Sequence, residues 1–149
     1  MANKLNFEIT TPERVVYSDE VDEVILPTPK GEIGILPHHI PLVSLVSAGE
    51  IRIKKGSETI HMATSGGFVQ IQPKKIVVLA DTAEHAEEID EARAEEARKK
   101  AQALLKEKRV DAAEFATLSA KIEKELARLK VAKRRRRREP PPPTSGMPH

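Results

Sequence analysis

Gly31-Glu32-Ile33-Gly34-Ile35-Leu36-Pro37-His38-His39-Ile40-Pro41-Leu42-Val43-Ser44-Leu45-Val46-Ser47 sets two glycines, two prolines and two histidines between apolar runs. A plain strand needs no such punctuation. Gly supplies backbone angles that other residues avoid, and Pro fixes φ and removes a hydrogen-bond donor. The stretch reads as a shaped loop between strands that holds one surface in a fixed form. It is the first candidate for a working face.

On either side of it short alternating runs recur. Leu5, Phe7 and Ile9 alternate with polar residues, and Val15–Asp19 follows a Thr-Pro turn. Val21–Pro27, Ile33–Leu36, Leu42–Val46, Glu50–Lys54, Thr59–Ala63, Phe68–Gln72 and Ile76–Ala80 complete the set. Lys30-Gly31, Ala48-Gly49, Lys55-Gly56, Gly66-Gly67 and Gln72-Pro73-Lys74-Lys75 supply the turns. Many short strands at close spacing argue for a sandwich or barrel. A domain of about 80 residues buries only ~60–65% of its unfolded surface, so help from a partner is expected.

Beyond residue 84 the period changes. Six of the seven glycines lie between positions 31 and 67, and no proline occurs between Pro73 and Pro140. Ala92, Ala97, Ala101, Leu104 and Leu105 fall near helical spacing. Arg109-Val110 reads as a turn, and Asp111 with Glu114 as the capping box of a second helix. Phe115, Leu118, Ile122, Leu126 and Leu129 then form one apolar stripe. Two helices joined by a short turn make an antiparallel hairpin. Its first helix is mostly alanine on the apolar side, and burial yields only ~0.8 kcal/mol per CH₂. A detachable arm and a hairpin statically docked on the sandwich both fit that pattern.

Charge is unevenly distributed. Residues 1–84 hold 8 Lys+Arg against 11 Asp+Glu, residues 85–132 hold 11 of each, and residues 133–149 hold 6 against 1. The chain therefore divides into a β domain over 1–84, a helical arm over 85–132 and a basic, Pro-rich tail over 133–149. Cysteine is absent, which excludes disulfides and thiolate metal sites. His38, His39, His61, His85 and His149 form no i,i+4 pair or carboxylate cage, so no metal is expected. Neither Gly-x-Ser-x-Gly nor a Walker-type loop occurs, and Ser65-Gly66-Gly67 reads as a hairpin turn. The N-terminus shows no signal or transit pattern, and no apolar run nears the ~18 residues needed to span a bilayer.

Three ordered stretches resemble the epsilon subunit of the F-type ATP synthase. The first is Gly31-Glu32-Ile33-Gly34-Ile35-Leu36-Pro37 with His39-Ile40-Pro41-Leu42. The second comprises Ser65-Gly66-Gly67-Phe68-Val69, Gln72-Pro73 and Val78-Leu79-Ala80-Asp81-Thr82-Ala83-Glu84. The third is Ile89-Asp90-Glu91-Ala92-Arg93-Ala94 with Arg128-Leu129-Lys130-Val131-Ala132. The resemblance implies an α+β fold in segregated domains. An N-terminal antiparallel β-sandwich precedes a C-terminal two-helix hairpin that can extend. It also implies a non-catalytic rotor subunit that couples the gamma subunit to the c-ring. By the same resemblance, its helices would inhibit ATP hydrolysis when they reach the alpha and beta subunits. It would meet the membrane only through the complex, at the cytoplasmic face of a bacterial inner membrane or, alternatively, at a plastid thylakoid.

Carried over residue by residue, the resemblance puts Glu32, His38, His39 and Pro41 at the gamma and c-ring contact. Many relatives have Gly where this chain has His38; Gly permits a positive φ that His rarely adopts. The third stretch resembles a signature for ATP as a regulatory ligand, with no cofactor required. Its candidates are Glu84, Ile89, Asp90, Arg93, Ala94, Lys124 and Arg128. Measured from the expected turn, Arg93 and Arg128 differ in level by two residues, about 3 Å at 1.5 Å per residue. In a folded hairpin both could reach one phosphate chain, whose oxygens suit forked guanidinium donors. Lys124 stands where ATP-binding relatives tend to have a second Arg.

The resemblance leaves Lys133, Arg134, Arg135, Arg136, Arg137 and Arg138 unexplained. Such a run can bind nucleic acid by counterion release, which makes a nucleic-acid module the rival reading. No aromatic residue lies nearby for base stacking. Like-charged runs are usually solvated. On the rotor reading the run meets acidic surfaces of the catalytic head and strengthens the extended arm, and no nucleic acid is expected.

Overall fold

The computed structural model describes residues 4–107 and 111–138. The expected Arg109-Val110 turn, Pro140–Pro143 of the Pro-rich tail and His149 lie outside them. Ten strands come first: β1 (Leu5–Thr10), β2 (Val15–Val21), β3 (Glu23–Thr28), β4 (Gly31–Ile35) and β5 (Leu42–Val46). They continue with β6 (Gly49–Lys55), β7 (Glu58–Thr64), β8 (Gly67–Ile71), β9 (Lys75–Ala80) and β10 (Ala83–His85). A 3₁₀ turn at Ala86–Glu88 leads to helices α1 (Glu91–Glu107) and α2 (Ala112–Arg138).

The strands form two five-stranded sheets, ordered β2-β1-β9-β8-β5 and β10-β7-β6-β3-β4. Among the described residues every pairing is antiparallel except β1 with β9. Strand alternation builds the core: Leu5, Phe7, Ile9, Val24, Leu26, Ile51, Ile53, Val69, Ile71, Ile76 and Val78 point into one buried cluster. The sandwich thus follows the hydrophobic pattern almost strand for strand. Short β10, which carries Glu84, has too few residues to show a period.

The segment Gly31–Ser47 is not one loop. It is β4, a connection over residues 36–41, and β5. β4 edges one sheet and β5 edges the other, so the connection crosses the sandwich. His38 holds the left-handed φ of +66° that a Gly would adopt more easily. Its N–H donates to the Pro73 carbonyl at 2.8 Å, which pins the connection to the β8–β9 turn. At Gly67 a Cβ would lie 2.0 Å from the Leu79 carbonyl oxygen, so only Gly lets β8 approach β9 there.

Asp90 caps α1: its carboxylate accepts the Arg93 N–H at 3.2 Å, and its carbonyl accepts that of Ala94. Asp111 caps α2 the same way, accepting the Glu114 N–H at 2.8 Å. Along α1, Ala94 and Ala101 are fully buried on the face that packs α2. The expected apolar stripe of α2 is only partly used. Leu129 is buried, but Phe115 and Leu126 are exposed. α2 also runs on through Arg138, so the boundary expected at residue 132 falls inside the helix. Lys and Arg are good helix formers, and cations in a last turn suit the helix dipole.

Candidate functional site

The arm lies on the outer face of one sheet. β10, β7 and β6 place Glu84, Ala63 and Glu50 side by side, because Glu84 and Glu50 both register with Ala63. The row reads carboxylate, methyl, carboxylate. α2 crosses it with matching chemistry. Arg128 Nε donates to Glu84, and Arg134 Nη1 donates to Glu50 Oε1 at 3.3 Å. Between them Val131 and Ala132 pack with Ala63, Ala86 and Ile89 in a small buried cluster. The spacings agree. Arg128 to Arg134 is six residues, about 9 Å of helix, and two strand intervals span about 9.5 Å.

Glu50 is the most confined charge in this contact, its side chain 4% exposed. Oε1 also faces Arg52 at 3.5 Å, His61 at 3.4 Å and Arg138 at 3.9 Å. Oε2 is buried without a hydrogen-bond partner among the described residues. Burial, then the Arg138 charge, holds the His61 imidazole below its ordinary range, although Glu50 acts the other way. Burial also opposes the charge on Arg128. Its bonds to Glu84 and Glu125 outweigh that and raise its pKa. Glu125 is itself buried and meets Arg128 Nη1 at 2.8 Å. Arg136 reaches Glu91 at the start of α1 at 3.2 Å.

The structure divides the expected ATP residues into two sets. Glu84 and Arg128 are together, as an ion pair. Ile89 and Ala94 are buried, and Lys124 is half-buried. Arg93 is 86% exposed and faces Asp90, the cap of its helix, at 3.8 Å. Of the expected rotor residues, Glu32 sits on edge strand β4 and pairs with Arg52 at 2.5 Å. His38 and Pro41 are exposed. Half-buried His39 donates Nδ1–H to the Ile40 carbonyl, which can only accept. Leu36 and Ile40 flank them, also exposed. In the basic run Arg134 and Arg138 face Glu50, Arg136 meets Glu91, and Arg135 Nη1 donates to the Glu87 carbonyl at 3.4 Å. Lys133 and Arg137 are exposed.

Two features were missed in the sequence reading. One is Glu50, which alternates with Ile51 and Ile53 like any solvent-facing residue but is buried, with Arg52, His61 and the arginines of α2 about its carboxylate. The other is on the outer face of the second sheet. There Leu45, Phe68 and Leu79 register across β5, β8 and β9 and remain 52%, 56% and 57% exposed. Val43 lies beside them, 69% exposed. This row had a signal: β5, β8 and β9 carry apolar residues at outward positions, as in strands covered on both faces. Among the described residues no group of His, Asp and Glu could hold a metal ion, and no helix is long and apolar enough to cross a membrane.

Residues 4–86 match the family model of the ATP synthase delta/epsilon chain β-sandwich domain, and residues 87–133 that of its long α-helix domain. The chain is 48% identical over 131 residues to an ATP synthase epsilon chain of Dehalococcoides mccartyi, covering 88% of this chain and 94% of the relative. It is 46% identical over 129 residues to that of Chloroflexus aggregans, covering 87% and 92%. A chain in the Euglena gracilis mitochondrial ATP synthase (OSCP/F1/c-ring) shares the fold with a TM-score of 0.73 at 22% identity, over 88% of this chain and 82% of that one.

His61 gives the arm contact a testable pH response. Its folded-state pKa is depressed, so the unfolded chain takes the proton first. The stability it contributes is full above the ordinary histidine value of about 6.5 and is lost as pH falls below it. The unfolding midpoint of His61→Gln should therefore fall less than wild type between about pH 7.5 and 5.5. Equal falls by calorimetry would remove His61 from the linkage.

Proposed function

The chain belongs to the ATP synthase delta/epsilon chain family, among its epsilon chains, and from that premise we propose a non-catalytic rotor subunit that joins gamma to the c-ring. The observation that carries the proposal is the exposed row Leu45, Phe68 and Leu79 with Val43. Covering the exposed part of such side chains yields about 1 kcal/mol each, which favours a lasting partner on that face. Gamma is the proposed partner there. Leu36, His38, His39, Ile40 and Pro41, with Glu32 on the adjoining strand, form the proposed c-ring contact. Apolar tips and Pro-fixed backbone support a rigid bearing surface.

The helices are the proposed restraint on ATP hydrolysis, acting on alpha and beta when extended. Two observations support a movable arm. Its buried contact with the sandwich is mostly alanine, and Phe115 and Leu126 remain exposed on α2. The proposed location is the cytoplasmic face of a bacterial inner membrane, with the chain peripheral; bacterial relatives support this over a thylakoid. In reconstituted complexes, a 1–88 truncation should hydrolyse ATP several-fold faster than one with the full chain. Equal rates would remove inhibition from the proposal.

ATP is the proposed regulatory ligand of the folded arm, favouring that form by binding it alone. It would have to displace Glu84 from Arg128 and draw in the exposed Arg93, so weak binding is expected. Titration should saturate only near millimolar ATP and should weaken in Arg93→Ala. Absence of saturation in the wild-type chain would end this part of the proposal.

A further inference from the structure

We propose that Arg134 and Arg138 are an intramolecular latch, closing on Glu50 to hold the arm against the sandwich. The sequence reading gave the basic run to the extended arm and the catalytic head. In the compact chain part of that run has a partner already. Arg134 and Arg138 both turn to a carboxylate that α2 itself covers.

The chemistry requires a cation there. A carboxylate 4% exposed, with Oε2 unpartnered among the described residues, is costly unless positive charge compensates it. Arg52 comes from β6 itself and is shared with Glu32. His61 is held toward its neutral form. Arg134 and Arg138 are the cations on Glu50 that α2 carries to the sheet. They lie four residues apart, one helical turn, so both address the same oxygen from one face.

The latch is reversible for a physical reason. When the arm lifts, Glu50 regains water, and that hydration offsets much of the lost ion pairing. Neutralising the arginines differs: it leaves Glu50 desolvated in the closed form only, and so shifts the balance toward the open form. The run thereby sets how readily the arm leaves. The inference rests on the arm movement proposed above, but its test needs no partner subunit.

The chain has no cysteine, so two introduced ones accept a dye pair uniquely. Ser57→Cys on the β6–β7 turn and Thr117→Cys on α2 report compact against extended chains by single-molecule energy transfer. In Arg134→Gln/Arg138→Gln the compact-to-extended ratio should fall at least about fivefold. Glu50→Gln should lower it too, and adding the arginine changes to Glu50→Gln should cost much less than in wild type. The two arginines are partly exposed near the end of the described helix, so the sandwich should fold unchanged. An unchanged ratio in the arginine variant, or full additivity of the two sets, would overturn the latch. An arm that opens in these variants without altering hydrolysis in the complex would instead count against the proposed inhibition.

Discussion

The row Glu84, Ala63, Glu50 is the constraint that shapes the compact chain. Each member excludes alternatives. Ala63 has to be small, because Val131 and Ala132 close on it and a larger side chain would lift α2 from the sheet. Glu84 and Glu50 have to be met by cations, because the helix that covers them also removes water. The helix carries those cations one row-length apart. Little apolar surface is involved, so register comes from charge more than from oil. Ion pairs in partly buried settings add modest stability but penalise wrong alignments strongly. A contact of this kind holds one position and can still release it.

The two sheets consequently have different outer faces. One presents carboxylates, Arg52, His61 and Ala63, and receives the arm. The other presents Leu45, Phe68, Leu79 and Val43, and receives nothing within the described chain. The connection over residues 36–41 leaves the first sheet and enters the second, at the end where His38 is tied to Pro73. One small sandwich thereby offers an arm dock on β10, β7 and β6, an apolar face on β5, β8 and β9, and a tip between β4 and β5. The arm contact and the apolar face share the core but no outer surface.

Much of this was legible from residues. Leu5, Phe7 and Ile9, or Ile51 and Ile53, announce strands by alternation, and Asp111 announces a helix start. The motifs around Gly31, Gly66 and Asp90 point to the family. Glu50 was not legible, because a strand pattern states which face a residue takes and not what later covers that face. The stripe from Phe115 to Leu129 is buried at Leu129 but exposed at Phe115 and Leu126, while α1 buries Ala94 and Ala101, of which helical spacing had picked out Ala101. The sequence spacing of Arg93 and Arg128 suggested one shared level, but their surroundings differ. Level along a helix does not fix direction around it: Arg128 faces Glu84, and Arg93 faces water.

The central claim is that the two outer faces are independent, one for the arm and one for gamma. Calorimetric titration of a gamma subunit with Phe68→Asp and with Glu50→Gln tests it most directly. The account predicts that Phe68→Asp abolishes measurable binding while Glu50→Gln binds as wild type does. Undiminished binding by Phe68→Asp, or loss of binding by Glu50→Gln alone, would contradict it.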